Sequence, residues 1–110
     1  MSVVIENGHG INRDEVTAEI LEMKLFPIKW LASDIPKGLN AFLQDIHLFV
    51  IDGELEIEVD GFPIFAHSGA HVQIPSKVVH ELKADDNLQL YFASSTKEVI
   101  KPHRIGVVNT

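Results

Sequence analysis

"HLFVIDGELEIEVDG", His47 to Gly61, is the stretch whose reading decides the fold. From Asp52 to Asp60 it alternates strictly, with Asp52, Glu54, Glu56, Glu58 and Asp60 on one side and Gly53, Leu55, Ile57 and Val59 on the other. A period of two predicts a strand with one wet face and one buried face. Asp60-Gly61 is a strong hairpin signal, and "FPIFAH" reads as the return strand. "AHVQI" up to Pro75, "VVHELKA", the turn "ADDN" and "LQLYFAS" follow in the same manner. Short strands joined by short turns predict an all-β sandwich or barrel.

Upstream the pattern changes. "NRDEVTAEILEMKLF" contains good helix formers after a capping candidate, Asn12, yet its apolar positions fit helix and strand templates equally. "FPIKWLASDIPKG" reads as a strand closed by a proline-glycine turn. The tail "EVIKPHRIGVVNT" could supply an edge strand or an arm onto a neighbouring chain, and Pro102 argues against a central strand there. With 110 residues and neither repeat, low-complexity tract nor linker, residues 1–110 read as a single domain.

Composition narrows the partners. A formal net charge of -7 with nine scattered Lys and Arg residues argues against nucleic acid and against an anionic membrane surface. No apolar run approaches the length that spans a bilayer. The start "MSVVIENGHG" lacks a basic segment and an apolar core, so the expectation is a chain without a signal peptide, in the cytoplasm. The lack of cysteine excludes disulfides, thiolate catalysis and cysteine-ligated zinc.

The chemistry-bearing residues are few. Five acidic side chains on one strand face stand about 7 Å apart along it, too straight a row to wrap a calcium ion. They read as a solvated face that discourages edge pairing. Among six histidines, His9 and His103 lie in polar surroundings near the ends and read as exposed, and His67 precedes the Ser68-Gly69 turn. His47, His71 and His80 lie in or beside strands, where a barrel interior could gather them. There is no glycine-rich phosphate loop and no GxSxG elbow.

Two blocks resemble the small single-domain cupins. "LFVIDGELEIEVDG" is similar to that family's strand–turn–strand with V-x-x-G-E-L, and "GAHVQIPSKVVHEL" (Gly69 to Leu82) to its second motif. Gly69, Pro75 and His80 match that motif, while Lys77 stands where the family has glycine. The resemblance covers residues 36–93 and implies a cupin-type double-stranded β-helix, or jelly-roll barrel, with room for a short N-terminal helix. It also implies a homodimer, for which the ends 1–12 and 97–110 are candidate arms.

By the same resemblance, metal-binding cupins take two histidines and a glutamate from the first motif and a histidine from the second. Counted back from Gly53, those first three positions fall on Asn40, Phe42 and Ile46, so the metal motif is degenerate and no cofactor is expected. An alternative brings in a divalent transition metal: a one-residue bulge would turn Asp45 and His47 inward to join His80. Function then divides. The first reading is a cavity that binds a small organic ligand, walled by Trp30, Phe42, Ile46 and Tyr91 with Asn40 and His80 as polar groups. The second is an enzyme, with His80 as a catalytic acid or base of the isomerase or epimerase kind, or with a metal at Asp45, His47 and His80. The third is a purely structural or interaction role, with His80 as a hydrogen-bonded core residue.

Overall fold

The structure is a computed structural model that describes residues 3–96 and 102–104. Its elements in chain order are β1 (Val4–Glu6), α1 (Arg13–Glu22), β2 (Phe26–Leu31), a single 3-10 turn (Ala32–Asp34), β3 (Leu39–Ala41) and β4 (Ile46–Asp52). Then come β5 (Leu55–Val59), β6 (Phe62–Ala66), β7 (His71–Ile74), β8 (His80–Ala84), β9 (Gln89–Ser94) and β10 (His103–Arg104). They form two sheets of five antiparallel strands, ordered β1-β7-β4-β9-β2 and β10-β3-β8-β5-β6. The inward residues of both sheets make one core, in which Ile46, Leu48, Leu55, Ile57, Val72 and Leu90 are fully buried.

The alternation from Asp52 to Asp60 is not one strand. β4 ends at Asp52 in the first sheet and β5 starts at Leu55 in the second, so the chain turns a corner between them. Gly53 makes that corner with φ +79°, and a Cβ there would lie 2.6 Å from the backbone of Leu88. Only glycine fits so close an approach. Beyond the corner the expected hairpin forms: Asp60 and Gly61 take φ of 53° and 80°, and β5 pairs with β6 from Leu55↔Ala66 to Val59↔Phe62. The acidic row on β5 gains a counter-ion, since Lys83 of β8 lies 3.7 Å from Glu56 and 3.5 Å from Glu58. Glu58, Glu81 and Glu56 hold the Lys83 ammonium above its ordinary pKa.

The ambiguous segment after Asn12 is a helix. The Asn12 side chain accepts from the backbone N–H of Asp14 (2.9 Å) and Glu15 (3.3 Å), satisfying two donors of the first turn. α1 buries only Val16 and Ile20, which pack with Phe49 and Ala93 on the outer face of the first sheet. So narrow an apolar stripe is why helix and strand patterns score alike in the sequence. Among the described residues, no helix is long and apolar enough to cross a membrane.

The described parts of both ends lie on this chain's own sheet edges. β1 pairs with β7 and β10 pairs with β3. Of the candidate arms, residues 1–2, 97–101 and 105–110 fall outside the described residues.

Lys77, where the motif it resembles has glycine, adopts a backbone conformation that favours glycine. Its φ is +67°, in the left-handed region. Lys77→Gly is expected to raise unfolding free energy by about 0.5–1 kcal/mol, the left-handed strain offset by a more flexible unfolded chain. Gly53→Ala is expected to lower it by about 2–4 kcal/mol through the clash at Leu88 and the positive φ. Urea denaturation of both variants checks this; a destabilised Lys77→Gly would show that the lysine side chain holds the turn.

Candidate functional site

His80 is placed by the turn that precedes it. The N–H of Ser76 donates to Asp45 Oδ1 (2.7 Å), and the N–H of Lys77 donates to the Phe42 carbonyl (2.7 Å). These two bonds clamp the Pro75–Val79 turn onto the β3–β4 connection. His80 then enters β8 opposite Asn40, its ring directed into the barrel and 1% exposed. Its Nδ1 lies 2.9 Å from the Val78 carbonyl. A carbonyl only accepts, so Nδ1 carries the proton and Nε2 the lone pair in the neutral ring. Burial holds the pKa of His80 below the ordinary histidine value, with the Val78 bond opposing it.

Rings fill the space around it. Phe42 stacks on His80 at 5.8 Å between centroids and 10° between planes. Phe42 meets Phe92 at 5.6 Å, and Phe92 stacks on Trp30 at 4.5 Å. Asn40 is 4% exposed, and its Nδ2 donates to the carbonyls of Lys37 (3.1 Å) and Gly38 (3.0 Å). Among the described residues, no buried side-chain nitrogen or oxygen lacks a partner.

The residues expected to wall a ligand cavity therefore divide. Trp30, Phe42, Ile46, Asn40 and His80 do converge inside the barrel, but they pack against one another, and none but Ile46 lines a described cavity. Tyr91 is a correction. Leu90 and Phe92 face inward, so period two turns Tyr91 to the outer face, where it packs beside Phe49 and Ala93.

The bulged metal arrangement is corrected as well. β4 runs in unbroken register with both neighbours from Ile46 or His47 to Phe49, and its irregularity comes later, between Val50 and Asp52. Ile46 is fully buried inside, so His47 faces outward and meets His71 rather than His80. Asp45 is engaged by Ser76. Among the described residues, no three His, Asp or Glu side chains are grouped so as to hold a metal ion.

Two features escaped the sequence reading. One is a slot in the barrel wall. β3 pairs with β8 only at Leu39↔Glu81 and Asn40↔His80, whereas β5 follows β8 as far as Ala84. The gap is a cavity of about 360 Å³ bordered by Ala32, Ile35, Lys37, Glu81, Leu82 and Lys83, among others. A second lobe of about 480 Å³ shares Ala32, Lys37 and Ala84 with it. The other is a histidine cluster on the outer face of the first sheet. His47 Nδ1 lies 2.8 Å from His71 Nε2, and His9 crosses His71 edge-on at 5.3 Å. His9 is thus packed, not a freely exposed end residue. The signal for the cluster was the alternation itself, since His47 and Phe49 share a face opposite Ile46 and Leu48.

No family model matches the sequence, and no curated protein matches it. Solved structures do. A DUF861 family protein from Thermotoga maritima superposes with a TM-score of 0.57 over 83% of this chain and 97% of its own, at 14% identity. A cupin-2 domain protein from Shewanella frigidimarina superposes at 0.48 over 64% and 67%, with 19% identity. The fold is that of a small cupin. In this barrel the centre is occupied by side chains, and His80 is a packing element as well as a polar group. His80→Ala is expected to cost about 2–4 kcal/mol, from the emptied volume and the donor lost to the Val78 carbonyl. A loss below about 1 kcal/mol in urea denaturation would contradict the packed role.

Proposed function

We propose that the protein binds a small organic molecule in the slot beside β8. The observation that supports this is the slot itself: its volume of about 360 Å³ lies in the range of roughly 300–1,000 Å³ usual for small-molecule sites. Ile35 and Leu82 of the slot belong to the main core, so an apolar ligand body would join an existing apolar wall. Lys37, exposed and bordering both lobes, offers an ammonium donor at their junction. The ligand class that suits this arrangement has an apolar body and one carbonyl or carboxylate acceptor.

A second reading is acid–base catalysis at His80, favoured by one observation. The Val78 bond fixes the tautomer and leaves Nε2 as a base at neutral pH. Substrate access to that ring would require Phe42 to move.

Screening small amphipathic acids and ketones by NMR, with amide shifts mapped on the chain, separates the two. Slot binding predicts shifts clustered at residues 32–38 and 81–84, and an affinity for acids about tenfold weaker in Lys37→Ala, as expected for one lost charge-assisted bond. Shifts centred on Asn40, Phe42 and His80 would favour the catalytic reading. A screen with no binder at millimolar concentration would overturn the proposal.

A further inference from the structure

The N-terminal segment, residues 3–12, lies across the first sheet as a strap. β1 pairs with the outer side of β7 through Val4↔Gln73, Ile5↔Val72 and Glu6↔His71. The chain then passes over Gly69, where the His9 N–H donates to the Gly69 carbonyl (2.9 Å), before Asn12 caps α1. A Cβ on Gly69 would stand 3.0 Å from the His9 carbonyl, so the strap and the β6–β7 turn are in close contact. The His9 ring is held between elements: Nδ1 is 2.9 Å from Glu19 of α1, and Nε2 is 3.9 Å from Glu6 of β1.

Beneath the strap lies the His47–His71 pair. The 5.1 Å between ring centroids is close to the 2.8 Å bond plus the two ring radii, and the planes differ by 27°. The rings therefore meet end to end through one hydrogen bond. One nitrogen donates and the other accepts, so the pair shares a single proton at that point. When both rings carry full charge, both facing nitrogens bear hydrogen and the 2.8 Å approach becomes repulsive. His71 has no route of escape within the fold, being 4% exposed and stacked on Phe49 at 4.1 Å.

We propose that the strap is an acid-released cover: full protonation of the His47–His71 pair detaches β1 and the His9 loop from β7 while the barrel stays folded. Release would bare the β7 edge and widen a cavity of about 210 Å³ that His47 shares with Asp45, Ile46, Gln73, Ile74 and Pro75. The groups facing the pair are Glu6 from β1, His9 from the loop and Glu19 from α1 by way of His9. Asp45 precedes β4, and Tyr91 stands on β9 beside Phe49. Asp45 favours a charge on His47, but burial outweighs it and lowers that pKa. His71 is lowered from 6.5 to about 4 by burial first, then by His47 and by His9.

The sign follows. The closed form binds fewer protons than an open form in which His71 is hydrated, so acid favours opening. The closed state keeps its full advantage above pH 6.5, and the advantage shrinks as pH falls until it levels off near pH 4. Full recovery of the His71 pKa on opening corresponds to an increase of at most about 300-fold in the opening constant, approached only below pH 4, with about 100-fold of it between pH 7 and pH 4. Release withdraws Val3 and Ile5 from the edge of the core, while Leu48, Val72 and Leu90 stay buried between the sheets.

Hydrogen–deuterium exchange between pH 7 and pH 4, corrected for the intrinsic pH dependence of exchange, tests this on the full chain. The His9 amide and those of β1 should show an opening constant rising by up to about 100-fold. Amides of β4 and β9 should keep their protection. His71→Phe preserves a ring on Phe49 and removes the titration, so its strap should open to the same extent at both pH values. If that variant fails to fold, His47→Gln should reduce the response by removing one of the two charges, the part due to burial of His71 remaining. A strap whose protection is independent of pH, or is lost only together with β4 and β9, overturns the proposal. So does an unchanged response in the variants.

Discussion

Trp30, Phe92, Phe42 and His80 form a column of touching rings between the two sheets, and the rest of the barrel is arranged to keep that column closed. Stacked rings remove much apolar area from water and tolerate little offset. Trp30 and Phe92 come from the first sheet, Phe42 from the β3–β4 connection and His80 from the second sheet. The column thus ties the two sheets together at the centre of the barrel. The clamp from Asp45 and the Phe42 carbonyl to the Pro75–Val79 turn brings the last ring into line.

β4 carries a different chemistry on each side. Its inward residues Ile46, Leu48 and Val50 belong to the core, while outward His47 and Phe49 meet His71, His9 and the helix. Had Ile46 been a glutamate, the same strand could have offered a ligand to a metal beside His80. An isoleucine there instead seals the interior and leaves the polar side chains on the outside. The N-terminal segment and α1 then pack against that outer face, so His71 is buried there by His9 and Phe49 while His80 is buried inside the barrel.

Much of the architecture was legible in the sequence because it depends on local rules. Period two from Leu55 to Val59, the Asp60-Gly61 turn and the Gly69, Pro75, His80 spacing each survive in the fold. Lys77 takes a left-handed backbone in that turn. The corner at Gly53 was hidden because the polar–apolar alternation from Asp52 to Asp60 runs across it, although the inward positions switch from Ile46, Leu48 and Val50 in β4 to Leu55 and Ile57 in β5. Tyr91 was misplaced for the opposite reason, since a run such as "LQLYFAS" is apolar on both faces and gives no phase. The slot arises from a strand that stops early, and the length of β3 is set by its pairing with β8.

The sequence by itself determined the succession of short strands in the second half, the Asp60-Gly61 hairpin and the glycine–proline turn that precedes His80. Each of these is fixed by residues within a few positions of one another. Tertiary structure alone decided that the barrel centre is filled, that the opening lies beside β8, and that His9, His47 and His71 meet. Those outcomes depend on which strands become neighbours, and pairing across the sheets joins residues dozens of positions apart with no local signal of their partners.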